Sequence, residues 1–144
     1  MIITTGKINL AALLGGQQIC GMISADNISQ LYSDSAVLVL GRGAVIPENI
    51  SVFAVIADAD EGFDVEKLKG CAVLTCGMGG RNTVSVTSRT SERITVALNR
   101  SIRTLGGICD PMELPVAIHD GISDYEYMAT FAALLLLDKW KQLR

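Results

Sequence analysis

The sequence predicts an α/β fold: a mostly parallel sheet with helices, followed by an antiparallel β extension and an apolar C-terminal helix. Two observations support this class. The first half of the chain contains short apolar runs without polar alternation, which suit strands buried on both faces of a parallel sheet. From Asn82 onward, apolar and polar residues alternate strictly, which is typical of antiparallel strands with one wet face.

The strands follow from these two patterns. The parallel sheet is predicted from residues 2–5, 36–40, 52–57 and 72–76. The alternating segments 82–88 and 93–98 predict a hairpin, and 113–118 predicts a further strand. Pro115 cannot donate to a ladder, so this last strand is expected at an edge or a bulge.

Helices are predicted at 8–14, 26–32 and 63–69, and a longer one follows Ser123. Ser123 is a good N-cap, and Glu126 stands at the capping-box spacing. This last helix, to Leu137, is apolar on more than one face, which predicts a dimer through its surplus face. The alternative is that the sheet and residues 98–105 cover both faces within one chain.

Composition limits the possible partners. The chain has 144 residues, 49% hydrophobic and 19% charged, and is expected to form one domain, 1–144. Its net charge is −3 without a basic patch, which argues against nucleic acid. The longest apolar run, 128–137, is about half the length that spans a bilayer, and no signal peptide is expected. A cytoplasmic homo-oligomer without a membrane partner is predicted.

The cysteines and the histidine do not predict a metal site or a cofactor. Cys71 and Cys76 are too widely spaced for a zinc knuckle, and Cys20 and Cys109 stand alone. Buried reduced thiols are the preferred interpretation. The single histidine, His119, is more often structural in such a setting.

Glycine-bearing turns follow three predicted strands, where an open parallel sheet binds ligands. The candidate anion- or nucleotide-binding residues are Gly6, Lys7, Gly41, Arg42, Gly43, Gly77, Gly79, Gly80 and Arg81. Glycine allows backbone amides to converge on an anion, and the basic residues add charge. The alternative is that glycine simply lets the chain leave each strand sharply.

Acidic residues follow the strand 52–57 at the same predicted edge. Asp58 and Asp60, with Glu61, are candidates for holding magnesium through water or for acting as a base. The alternative interpretation is a solvated acidic loop that leads to a helix.

The order of these segments resembles the central domain of the Mur ligases, ATP-dependent enzymes that form amide bonds in cell-wall synthesis. The similar segments are Ile2–Lys7, 36–43, 52–62, 72–77, the hairpin 82–98 and Tyr127–Leu137. The resemblance implies a strand, a phosphate loop and a helix at the start of the chain, and an Ala- and Leu-rich closing helix.

The sequence departs from that family at the phosphate loop. It has a single Gly6-Lys7 pair, and Ile8 stands where a magnesium-binding hydroxyl is expected. No ligase domain is expected to follow. The resemblance therefore implies a truncated relative without ATP-dependent ligase activity, acting by self-association or by binding a partner or ligand. The alternative is a small enzyme acting on a phosphorylated or carboxylated metabolite held at the glycine-rich strand ends.

Overall fold

The computed structural model describes residues 1–14 and 21–143. The fold is mainly β, with 41% strand and 16% helix, in a β-solenoid arrangement. The predicted α/β class is therefore wrong, and the β-solenoid arrangement conflicts with a Mur-ligase-like fold.

Strands dominate the described part of the chain. They are β1 (Ile2–Thr5), β2 (Met22–Ser24), β3 (Gln30–Leu40), β4 (Asn49–Asp58), β5 (Val73–Cys76), β6 (Val84–Arg89), β7 (Arg93–Leu98), β8 (Ile102–Arg103), β9 (Ile108–Cys109) and β10 (Met112–Ala117). The α-helices are α1 (Ala11–Leu14) and α2 (Asp124–Leu136), and short 3-10 turns span Glu66–Leu68 and Trp140–Leu143.

A mixed eight-stranded sheet forms the centre of the fold, in the order β10-β7-β6-β5-β4-β3-β1-β2. Strands β1, β3, β4 and β5 contain the four continuous apolar runs and pair in parallel. Strands β6, β7 and β10 pair antiparallel. The prediction that Pro115 lies on an edge strand is confirmed, because β10 ends the sheet.

Most predicted short helices are not present as helices, and this is why the class prediction failed. Residues 30–32 begin the long strand β3, in which Leu31 and Ser33 are partly buried while Tyr32 is exposed. This two-residue period is that of a strand, and it outweighs the capping residues before it. Of the predicted helices 8–14 and 63–69, only Ala11–Leu14 and a 3-10 turn are helical.

Crossover loops, rather than helices, cover one face of the sheet. Leu38 and Val55 point to this face, where Ile46 and Leu68 pack against them from the loops after β3 and β4. Phe63 is half-buried in the same cluster. Parallel neighbours joined by loops of this kind give the solenoid character of the fold.

Helix α2 lies on the other face and is buried within one chain. The predicted capping box is confirmed: the Ser123 side chain accepts from the Glu126 amide, and the Glu126 side chain accepts from the Ser123 amide. Residues 127–137 are all buried against the sheet and its neighbours. The prediction that α2 presents a surplus apolar face to a second subunit is therefore wrong. Oligomeric state itself stays a prediction.

The β8–β9 ribbon meets the end of α2. The Leu105 amide donates to the Leu136 carbonyl at 2.9 Å, and the Gly106 amide donates to Asp138 Oδ2 at 2.7 Å. Next to these contacts, the Thr104 hydroxyl is buried without a hydrogen-bond partner among the described residues. The ribbon thus satisfies the Leu136 carbonyl at the end of the helix and is also held by the Asp138 side chain.

Candidate functional site: a cleft at the ends of the parallel strands

A cleft of about 900 Å³ lies where β1, β3 and β4 end and α2 begins. Its lining comes from residues 7–9 and 40–46, from Asp58, residues 61–64 and Lys67, and from Ser123, Tyr125 and Glu126. Carboxyl ends of parallel strands meet at one edge of a sheet, so the fold itself brings these segments together.

One wall of the cleft is a contact between the two loops that follow β1 and β3. The Lys7 amide donates to the Arg42 carbonyl at 2.8 Å, and the Arg42 amide donates to the Lys7 carbonyl at 3.0 Å. A Cβ on Gly6 would lie 2.8 Å from Arg42 O, and one on Gly41 would lie 2.7 Å from Lys7 O. Glycine at these two positions therefore permits the close approach of one loop to the other.

The backbone amides of these turns bond to protein acceptors. The Gly6 amide donates to Asp26 Oδ1 at 3.0 Å, and the Gly41 amide donates to the Thr5 carbonyl at 2.7 Å. With the Lys7 and Arg42 amides also engaged, the turns offer few donors of the kind that a phosphate loop supplies. A ligand in the cleft must be bound mainly by side chains.

The third glycine turn, residues 77–81, does not line the cleft. Its Met78 amide donates to Asp60 Oδ2 at 3.1 Å, and a Cβ on Gly77 would lie 2.5 Å from Asn82 Nδ2. Gly79, Gly80 and Arg81 are exposed outside the cleft. Asp60 therefore holds this turn in place, and the structure separates it from the other candidate residues.

Asp58 ends β4 and lines the cleft. Its Oδ1 accepts from the Asp60 amide at 3.0 Å and from the Glu61 amide at 3.4 Å. Burial raises the pKa of the Asp58 carboxyl, and these two hydrogen bonds oppose that shift. The fold thus places Asp58 at the cleft together with Glu61, whereas Asp60 does not line it.

Two residues of α2 complete the cleft, and neither was a predicted site residue. The Tyr125 hydroxyl donates to the Leu40 carbonyl at 2.6 Å, and burial raises its pKa well above the ordinary value. Glu126 Oε2 accepts from the Asn9 amide at 2.6 Å, while Oε1 accepts from Ser123 at 3.0 Å. The capping-box spacing marked Glu126 as a helix residue, but its reach to Asn9 depends on tertiary structure.

The basic side chains of the cleft are only weakly engaged. Arg42 Nη2 lies 3.8 Å from Glu61 Oε1, and both side chains are largely exposed. Lys7 and Lys67 make no ion pair or side-chain hydrogen bond with the described part of the chain. Gly43, with φ of +70°, turns the chain between Arg42 and the next lining residues.

The other chemistry-bearing residues lie elsewhere. Cys71, Cys76 and Cys109 are free thiols, and burial raises the pKa of each; Cys20 falls outside the described residues. His119 is held through its backbone, whose amide donates to the Tyr127 hydroxyl at 2.6 Å. Within residues 1–14 and 21–143, no group of His, Cys, Asp and Glu side chains is arranged to hold a metal ion.

Comparison of the chain with protein-family models, curated proteins and solved structures found no match. The resemblance to the Mur ligases is therefore neither supported nor refuted by a relative. In the described residues, no helix is long and apolar enough to cross a membrane.

Proposed function

We propose that this chain is a binding module for a small molecule, and that the ligand occupies the cleft between the ends of β1, β3 and β4 and the start of α2. The observation that carries the proposal is the convergence of chain segments far apart in sequence on one cavity of about 900 Å³. Ligand cavities in proteins typically measure about 300–1,000 Å³.

The chemistry of the lining supports the same proposal. Ile8, Val45 and Phe63 supply apolar surface, and charged side chains stand among them. Apolar surface combined with convergent polar groups that fix a ligand's orientation is a usual feature of small-molecule sites. We include a cytoplasmic location in the proposal, supported by the free thiols of the described residues.

A cleft-filling substitution tests the proposal. Val45 lines the cleft and is 58% exposed, whereas Val65 is 67% exposed and does not line it. Val45→Trp should fill the cavity without disturbing the core, and Val65→Trp is the matched control. A metabolite panel is screened by thermal unfolding, in which a ligand at about a hundredfold excess over its Kd stabilises by about 2.7 kcal/mol.

The expected result is at least one compound that stabilises the native chain and the Val65→Trp variant but not Val45→Trp. Equal stabilisation of all three proteins would place the binding outside the cleft. A complete lack of response across the panel would count against a small-molecule role.

A second candidate function is a small enzyme that acts on a phosphorylated or carboxylated metabolite, with Asp58 as its general base. The observation that favours it is a carboxyl with a raised pKa that faces the cleft. Asp58→Asn separates the two functions: for an enzyme it abolishes turnover of a bound compound while binding persists. If no bound compound is ever converted, the binding module stands.

A further inference from the structure

We propose that the ligand of the cleft carries an anionic group, held by the side-chain ammonium groups of Lys7 and Lys67. This inference rests on the proposed function, since it names the ligand class of the same cavity. It follows from which charges of the cleft have partners among the described residues and which do not.

Of the four carboxylates among the described lining residues, three accept hydrogen bonds from the protein's own backbone, and the fourth, on Glu61, lies 3.8 Å from Arg42. Asp58 accepts from two amides of its own loop, and Asp64 Oδ1 accepts from the Glu66 amide at 3.1 Å. Glu126 uses both oxygens, on Ser123 and on Asn9. A carboxylate that accepts backbone hydrogen bonds has part of its charge compensated and fewer lone pairs left for a cationic ligand.

The ammonium groups of the same cleft have no such compensation from the described residues. Lys7 comes from the loop after β1, and Lys67 comes from the 3-10 turn between β4 and β5. Both side chains line the cavity without an ion pair or hydrogen bond to any described residue. Arg42 adds a third cation, whose contact with Glu61 is long and exposed.

The geometry also describes the rest of the ligand. The described lining also includes apolar residues: Ile8, Ala44 and Val45, which are near Lys7 in sequence or across the loop contact, and Phe63, which is near Lys67 in sequence. Few backbone amides remain to wrap a phosphate chain, so a triphosphate has little to bind. The fitting class is a small organic carboxylate or phosphate with an apolar or planar body.

The test uses probes that share a ring and differ in charge. Benzoate and phenyl phosphate supply the two anions, benzamide is the neutral analogue, and benzylamine is the cation. Binding is followed by NMR titration of the full chain, of Lys7→Met/Lys67→Met and of Lys69→Met. Lys69 is an exposed lysine two residues from Lys67 that does not line the cleft.

We expect at least one anionic probe to bind, with chemical-shift changes at the cleft, and to bind more tightly than benzamide or benzylamine. The double variant should weaken that anion about tenfold or more, and Lys69→Met should leave it unchanged. The better of benzoate and phenyl phosphate identifies the anion as carboxylate or phosphate.

Three results overturn the inference: neither anion binds, benzamide or benzylamine binds as tightly as the anions, or the double variant leaves anion binding unaltered. The Val45→Trp variant shows whether only the anionic ligand class is wrong or whether the proposed binding site is wrong as well. If a neutral or cationic probe binds and Val45→Trp abolishes that binding, the cleft is a binding site and only the charge assignment is wrong. If no probe or metabolite depends on Val45, both are wrong.

Discussion

The hydroxyl of Tyr125 donates a hydrogen bond to the backbone carbonyl of Leu40 at 2.6 Å, and so joins the first turn of α2 to the end of β3. The Ile56 carbonyl lies 3.3 Å from the same hydroxyl. One side chain thus connects the helix to two neighbouring parallel strands at the base of the cleft.

Tyr125→Phe should lower the free energy of unfolding by about 1 kcal/mol at neutral pH, because a buried hydrogen bond is lost. The difference in free energy of unfolding between the native chain and Tyr125→Phe should become smaller at alkaline pH. The pKa of Tyr125 is raised well above the ordinary 10.0, so the unfolded chain releases this proton first as pH rises. The free energy of unfolding of the native chain therefore falls above about pH 10. Tyr125→Phe has no hydroxyl proton at this position and does not show this fall.

Urea unfolding of both proteins at neutral and alkaline pH measures this difference. Tyr32→Phe is the control, since Tyr32 is 64% exposed and should alter neither value. Curves for the native chain and Tyr125→Phe that stay parallel through the alkaline range would show that Tyr125 ionises normally.

Gly41→Ala should destabilise the chain more than Gly43→Ala. A Cβ at residue 41 would lie 2.7 Å from the Lys7 carbonyl oxygen, a backbone atom that cannot move aside alone. The cost should be about 3 kcal/mol, the upper end of typical overpacking. At residue 43 nothing lies within 4 Å, and only the positive φ of +70° opposes alanine, at about 1 kcal/mol. Denaturant unfolding compares the two, and the reverse order would contradict the loop contact.

Glu126→Ala should cost more than Ser123→Ala. The serine variant loses one capping hydrogen bond, worth about 1 kcal/mol. Glu126→Ala removes the acceptor of the Ser123 amide and that of the Asn9 amide. The loss of both hydrogen bonds should lower the free energy of unfolding by about 2–3 kcal/mol. Hydrogen exchange at the Asn9 amide gives a site-specific readout: it should accelerate in Glu126→Ala and remain slow in Ser123→Ala. Equal exchange rates in both would mean that the long-range contact does not form in solution.

Thr104→Val should stabilise the protein by about 1 kcal/mol, because it removes a buried hydroxyl without a partner among the described residues. Thr130→Val is the matched comparison. Its hydroxyl is also buried but donates to the Glu126 carbonyl at 2.7 Å, so the same change should destabilise by about 1 kcal/mol. Thermal unfolding measures both, and a destabilised Thr104→Val would show that its hydroxyl has a partner, such as a bound water.

Local sequence pattern located seven of the ten described strands and the start of α2, but not β2, β8, β9 or the first half of β3. A continuous apolar run such as 36–40 has few alternatives to a buried strand, and the Ser123–Glu126 spacing specifies a helix start directly. The prediction of the fold class was wrong partly because the capping residues near Asp26 suggested a helix. In the structure Asn27 adopts φ of +57°, and the chain then extends into β3.

The candidate site was predictable only in part. The loops after β1, β3 and β4 could be placed at one sheet edge from strand order alone. The role of Gly6 and Gly41 as points of loop contact, and the reach of Glu126 to Asn9, arise from residues far apart in sequence. Burial of both faces of α2 likewise depended on the fold, and the apolar pattern alone suggested a second subunit.

The reciprocal hydrogen bonds between Lys7 and Arg42 form an isolated antiparallel bridge that fixes the backbone of one wall of the cleft. A ligand that docks against this wall does not have to immobilise its backbone, which would cost about 1–2 kcal/mol per residue. Another part of the cleft lining, within residues 61–67, contains only the first residues of the 3-10 turn Glu66–Leu68. Conformational entropy lost on binding will therefore come from that segment, and amide protection gained with ligand should concentrate there.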